Sequence, residues 1–221
     1  GIPYPCIAKP VSLSASRGVI RVNDRKELLL ALTRIKNIIE ASGPQHPPIC
    51  LLEKYIPGRE YVIEGLLEGG KLETLAIFVK PNYMAGPFFE ETIYVSCPER
   101  TNQIKKTLVG IVQAACKSYG LIHGPVHAEC RANKRGVWII ELAPRTIGGS
   151  CGRILEIGFG KPVEETTIQN AVGMKQSSLS IKIAIGVMMI PVPGKGILRR
   201  VEGVEAARRV KLIDKVEIDV Q

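Results

Sequence analysis

Aromatic residues are scarce: four Phe, six Tyr and one Trp in 221 residues. So few rings argue against the base-stacking platforms that single-strand nucleic-acid binders use. No stretch approaches the roughly 18 apolar residues a membrane-crossing helix needs. The opening GIPYPCIAKP lacks the basic region and apolar run of a secretory leader. It also lacks a starting Met, so the sequence reads as part of a longer chain. There is no internal repeat and no low-complexity segment. The six cysteines, at 6, 50, 97, 116, 130 and 151, form no CxxC pair, which argues against structural zinc. Their mostly apolar surroundings (PCIA, ICLL, AACK) mark reduced thiols, and the expected compartment is the cytoplasm.

What is present is a sizeable core and an excess of positive charge. Hydrophobic residues make up 45% of the chain, enough for one large domain or two small ones. The net charge of +9 is scattered, apart from Arg199, Arg200, Arg208, Arg209 and Lys211. It reads as a solvated surface with attraction for an anionic ligand, and nucleic acid is not the expected partner.

The hydrophobic pattern predicts strands at 4–10 and 19–22, flanking a polar loop, Ser12-Leu13-Ser14-Ala15-Ser16-Arg17-Gly18. Asn23-Asp24 with Glu27 makes a capping signature. Leu28, Ala31, Leu32, Ile35, Ile38 and Ile39 then recur at helical spacing, and Gly43-Pro44 ends the helix. Strands are expected at 49–53, 60–68 and 72–79, a loop at 81–91 and a helix over about 100–119. Two strands flank Asn133–Gly136, and helices follow at 149–159 and 162–172. The character changes near 174. A polar stretch, an apolar run at 181–190, a short helix at 204–209 and a strand at 215–220 complete the chain. The class is α+β with antiparallel hairpins.

The strongest chemical signal lies in GPVHAECRANKRGVWIIELAPR. Alternation places His127, Glu129 and Arg131 on one face of the first strand, and Val137, Ile139 and Glu141 on one face of the second. Lys134-Arg135-Gly136 fits a three-residue hairpin loop. Asn133 then pairs with Val137, and Glu129 falls opposite Glu141. Opposed side chains have Cβ atoms about 4.5–5.5 Å apart, so two carboxylates there repel unless a cation lies between them. Mg²⁺ takes one or two carboxylates plus phosphate oxygens, which suits a nucleotide-bound metal. A loop one residue shorter or longer sends the two glutamates to opposite faces. Arg145 follows near the strand end, where a guanidinium suits phosphate or carboxylate. Gly148-Gly149 opens a helix whose N-terminal amides favour anions, with Arg153 in its first turns.

Together these segments resemble the ATP-grasp ligases, above all the branch that joins amino acids or similar carboxylates to amines. PCIAKP with its Ser/Gly loop, LLEKYIPGREYVIEG, AEC and ELAPRTIGG stand in the family's order. The resemblance implies an ATP-grasp fold: a partial lid subdomain at 1–57, a core subdomain with the metal site at 58–173, and the start of a small β-rich C-terminal domain at 174–221. It implies ATP with Mg²⁺, or Mn²⁺, as cofactors. Lys9 matches the lysine on the ATP phosphates, and Ser14, Ser16 and Gly18 match the lid over them. Glu53 and Lys54 match the adenine hinge, Ile56 borders the ring, and Glu60 matches the carboxylate on the ribose. Glu129 and Glu141 match the metal ligands, and Arg145 the arginine near the transferred phosphate or acyl group. Arg153 is expected to hold the substrate carboxylate or the later oxyanion. GPFFEET and GPVHAE place Glu91 and His127 at the substrate pocket. The implied reaction forms an acyl phosphate and ADP, and an amine then displaces phosphate. The implied partners are a small carboxylate, a small amine, the family's N-terminal domain in the same enzyme, and a second copy in a homodimer. Many relatives carry Asn where this chain has Ala143, which removes one ligand of a second metal.

Three rival readings remain. One is a thiol enzyme built on Cys151 with His123 or His127. Another is a non-catalytic nucleotide-binding or assembly module, and the third a basic nucleic-acid binder.

Overall fold

The computed structural model describes residues 3–82, 85–89, 92–96, 102–174, 179, 181, 183–190 and 196–218. The chain divides into two compact units, residues 1–189 and 190–221.

The first unit holds two antiparallel sheets. The smaller has the order β2-β1-β3, from Cys6–Pro10 (β1), Ile20–Val22 (β2) and Cys50–Lys54 (β3). Helix α1, Arg25–Ala41, packs on it through Ala31, Ile35 and Ile39 against Cys6, Ala8, Ile20 and Val22. The capping signature forms as expected. The Asp24 side chain accepts the Glu27 amide at 2.8 Å, and Glu27 reaches back to the Asn23 amide at 2.7 Å.

The larger sheet has the order β8-β7-β4-β5-β6-β9. Its strands are Arg59–Glu68 (β4), Lys71–Lys80 (β5), Ile93–Ser96 (β6), Gly124–Asn133 (β7), Gly136–Ala143 (β8) and Gly186–Met188 (β9). Helix α2, Asn102–Ser118, covers one face through Leu108, Val112 and Cys116. Helices α3, Cys151–Phe159, and α4, Val163–Ala171, contribute Ile154, Leu155 and Val163 to a core with Val62, Leu66, Phe78 and Tyr94. Strand β4 is therefore buried on both sides almost throughout. That placement governs the site, because β4 also carries Glu60 and Glu64.

The connection from β3 into β4 turns tightly at Gly58 (φ +145°), where an added Cβ would run into the Ala132 carbonyl oxygen. Backbone opposes backbone there, so no side-chain rotation relieves the clash. Gly58→Ala is expected to cost on the order of 1–3 kcal/mol, read as a lowered denaturation midpoint. An unchanged midpoint would show that the turn relaxes freely.

Three expectations are corrected. The boundary near 174 moves to 189/190, because Gly186–Met188 pairs with β6 and Ile181 packs into the core beside α3. Strand β6 itself, only four residues long, falls where the pattern predicts none. In the second unit the described residues contain one short helix, α5 (Val204–Arg208), and no strand. Residues 215–218 have no partner strand among the described residues, and an isolated strand leaves its backbone groups unpaired.

Candidate functional site

The hairpin β7–β8 brings Glu129 directly opposite Glu141, by a route that differs from the expected one. Asn133 pairs with Gly136, so the loop has two residues, Lys134 and Arg135. That alone would put the glutamates on opposite faces. A β-bulge between Glu129 and Cys130 inserts Ile140 as an unpaired residue and restores the pairing. The bulge has a second consequence. Val137 and Ile139 lie opposite Ala132 and Cys130 and join the core under α2, while Glu141 emerges on the other face. The expectation that all three share a face is wrong, because the bulge reverses the alternation between Ile139 and Glu141.

Around Glu129 the sheet face carries a ladder of alternating charge. Lys80, at the end of β5 and 3% exposed, donates to Glu60 at 2.6 Å and to Glu129 at 3.0 Å. Glu60 accepts from Arg131 Nε at 2.9 Å. On the far side His127 Nδ1 lies 2.5 Å from Glu64, and His127 Nε2 lies 3.8 Å from Glu129 Oε1. The strand register sets this order, with Glu60 opposite Arg131 and Lys80, and Glu64 opposite His127. Burial alone raises the Glu64 pKa, and it stays raised against the His127 bond and charge, the Ile147 amide and the Arg145 charge. Burial alone would lower His127, but the bond and charge of Glu64, helped by Glu129, outweigh it and raise the imidazole.

Glu129 is 13% exposed and Glu141 52%, so this opposed pair lies at the rim of the buried ladder. Arg145 Nη2 stands 3.5 Å from Glu141 Oε1. The turn after Arg145 leads through Gly149 (φ +62°) into α3, whose N-cap Ser150 makes no side-chain capping bond.

On the smaller sheet, Lys9 and Glu53 form an ion pair at 2.5 Å across β1 and β3. Lys54 closes β3 as an exposed residue. The loop before β2 holds Ala15 and Ser16 at φ +56° and +55°, with Gly18 at +77°. Two consecutive non-glycine residues in the left-handed region store strain of about 1–3 kcal/mol each. Ser14 and Ser16 accept the Arg17 and Val19 amides through their carbonyls.

The Ile56 carbonyl accepts from Arg131 Nη1 at 3.0 Å, and the Pro57 carbonyl from Asn133 Nδ2 at 2.5 Å. Strand β7 thereby fixes the segment joining the two sheets. Glu60 is not presented as an open acceptor for ribose hydroxyls. It is 6% exposed and both of its oxygens accept from cations, so it acts on this segment through Arg131. Arg153 forms an ion pair with Glu156 one turn along α3, at 2.8 Å. Glu91 lies outside the described residues.

Lys80 and Glu64 were not anticipated. Their signals were a lysine and a carboxylate at buried positions of otherwise apolar strands, where a charge needs a partner. The thiol reading loses support. Cys151 is buried among Ile154 and Leu155, His127 is bound to Glu64, and His123 accepts the Gly69 amide. Cys130, behind Glu129, has its thiol pushed up to about 12 by burial, with Glu129 and Glu60 adding to the effect.

The family model for the ATP-grasp domain matches residues 2–154. Among solved structures, the L-amino acid ligase from Bacillus licheniformis is 30% identical with a TM-score of 0.77; 96% of this chain covers 52% of that one. The biotin carboxylase domain of Hydrogenobacter thermophilus 2-oxoglutarate carboxylase, in complex with magnesium ADP and bicarbonate, is 19% identical with a TM-score of 0.63. There 82% of this chain covers 39% of that one. N5-carboxyaminoimidazole ribonucleotide synthetase from Thermus thermophilus is 16% identical with a TM-score of 0.58, and 83% of this chain covers 46% of it. At such identities the last two show a shared fold. The chain spans about half the length of the Bacillus ligase and less of the others. No curated protein sequence matches it. No described helix is long and apolar enough to cross a membrane. Over most of its length, in fold and in the order of its motifs, the chain belongs to the ATP-grasp family, whose members are ATP-dependent ligases.

Proposed function

We propose that this chain is the nucleotide- and metal-binding part of a ligase that joins a carboxylate, of the amino-acid class, to an amine. The observation that carries the reading is the facing pair Glu129–Glu141, backed by Lys80 and flanked by Arg145. The similarity to the Bacillus L-amino acid ligase supports the substrate class.

The donor set fits a magnesium ion that arrives with its nucleotide. Among the described residues no group of three or more His, Cys, Asp and Glu is placed to hold a metal. Two carboxylates suit Mg²⁺, or Mn²⁺ in its place, that brings phosphate and water oxygens as its other ligands. When bound, the ion supplies charge neutralisation on the phosphates. Ala143, opposite His127, adds no ligand, so a single metal is the better fit.

The chain's own residues do the rest. Lys9 turns from Glu53 to the phosphates as the Ser14–Gly18 loop closes over them, and Glu53, Lys54 and the Ile56 region border the adenine. A carboxylate oxygen of the acid attacks the γ-phosphorus, the bond to the ADP oxygen breaks, and ADP leaves. Arg145 and the amides of the Gly148-Gly149 turn hold the transferring phosphoryl group. The amine nitrogen then attacks the acyl carbon, the bond to phosphate breaks, and the nitrogen loses its proton. Arg153, Glu91 and His127 are assigned to the substrate side, with Arg153 swinging away from Glu156. The remaining domains of the same enzyme complete the pocket, and a homodimer is the proposed assembly.

An ADP-release assay of the complete polypeptide across amino acids and amines tests this. ADP release that needs both an acid and an amine is the expected result. A rate indifferent to every acid and amine contradicts it.

A further inference from the structure

Glu64 lies in the middle of β4 and is 2% exposed. A carboxylate in such surroundings needs strong partners. It has two, and they belong to different parts of the site. Oε1 lies 2.5 Å from His127 Nδ1, and Oε2 accepts the Ile147 amide at 3.1 Å. His127 sits two residues before Glu129 on β7. Ile147 sits two residues after Arg145, at the start of the glycine turn. Neither contact belongs to the regular hydrogen bonding of the sheet.

The chemistry of the two partners determines what Glu64 does. A backbone amide can only donate. An imidazole nitrogen facing a carboxylate oxygen at 2.5 Å carries the proton between them. With Nδ1 so engaged, the ring is held with Nε2 on the side of Glu129, 3.8 Å from Oε1. The same carboxylate ties the segment after Arg145 to β4.

We propose that Glu64 is a positioning residue. It sets the His127 ring against Glu129 and pins the turn after Arg145, so that the metal carboxylate and the anion-binding turn keep one spacing. Its consequence for turnover rests on the ligase reading above. Residues that orient a metal's ligands from behind typically contribute about 10–100-fold in metal affinity or activity.

Glu64→Gln tests this in the complete polypeptide. A carboxamide has one acceptor and one donor end. If its oxygen stays on the Ile147 amide, its NH₂ meets Nδ1, which must then accept, and the ring proton moves to Nε2. Nitrogen-15 NMR reads this directly. His127, identified by the resonances that His127→Gln removes, should change from protonated to unprotonated Nδ1. In the ADP assay, kcat should fall by about 10–100-fold while KM for ATP holds, because the adenine side is untouched. The Glu64→Gln and His127→Gln losses should combine less than multiplicatively, as for residues acting through one another.

An unchanged Nδ1 resonance overturns the proposal. So does a wild-type kcat accompanied only by a lower unfolding temperature, which is what a purely structural pair predicts. If the wild-type protein releases no ADP with any acid and amine, the ligase reading fails instead. The Nδ1 resonance still decides whether Glu64 positions His127.

Discussion

Replacing Glu141 with Gln in the complete enzyme is expected to cut substrate-dependent ADP release by on the order of 10²–10³-fold, with the fold intact. A metal on the phosphates is worth several kcal/mol of charge stabilisation, and each 1.36 kcal/mol is about tenfold in rate. Glu141 is the cleaner of the two carboxylates to remove. It is half exposed and its ion partner is Arg145 at 3.5 Å. Exposed pairs of this kind contribute only about 0–1 kcal/mol to stability. Glu129 is different, because Lys80 and His127 stand against it in the buried ladder, and its loss would mix a folding defect with a catalytic one. A coupled ADP assay beside a thermal melt separates the two. Wild-type turnover in Glu141→Gln would remove the carboxylate pair from the mechanism.

The largest effect on stability should come from Lys80→Met. Lys80 is the cation between Glu60 and Glu129. Removing one partner of a buried ionic cluster leaves charge without compensation and costs about 3–5 kcal/mol. At about 2–4 °C per kcal/mol for a domain of this size, the unfolding midpoint should drop by roughly 6–20 °C. The exposed pair Lys36–Glu40 on α1 makes the control. Lys36→Ala should cost no more than about 0.5 kcal/mol. Equal shifts for Lys80 and Lys36 would show that the ladder is screened by water.

Much of this arrangement was legible in the sequence, and the exceptions have physical causes. Helix α1 announced itself through Asp24, Glu27 and the spacing of Ala31, Ile35 and Ile39, which are local signals. The facing of Glu129 and Glu141 was also expected, yet two features of the hairpin behind it were not. The loop is one residue shorter than Lys134-Arg135-Gly136 suggested, and a bulge at Ile140 makes up the difference. Nothing about an isoleucine in an apolar run signals a bulge, and the compensation is visible only in the register. Lys80 and Glu64 were passed over because a charge inside an apolar strand has meaning only once its neighbours are known. Those neighbours include residues of β7, which lies far along the chain from the β4–β5 hairpin. The family resemblance assigns Glu60 to the ribose, while its burial between Lys80 and Arg131 is visible only in the fold. Strand β9 was missed for the same reason, since only its pairing with β6 draws residues 186–188 into the sheet.

The central claim is that Glu129 and Glu141 together hold the nucleotide's divalent metal. The most direct measurement titrates Mn²⁺ into the complete polypeptide with ADP present and follows the free-ion signal by electron paramagnetic resonance. The wild-type protein should remove Mn²⁺ from solution beyond what ADP alone removes. The Glu129→Gln/Glu141→Gln protein, still folded by circular dichroism, should remove no more than ADP does. Equal uptake of Mn²⁺ by the two proteins would contradict the account.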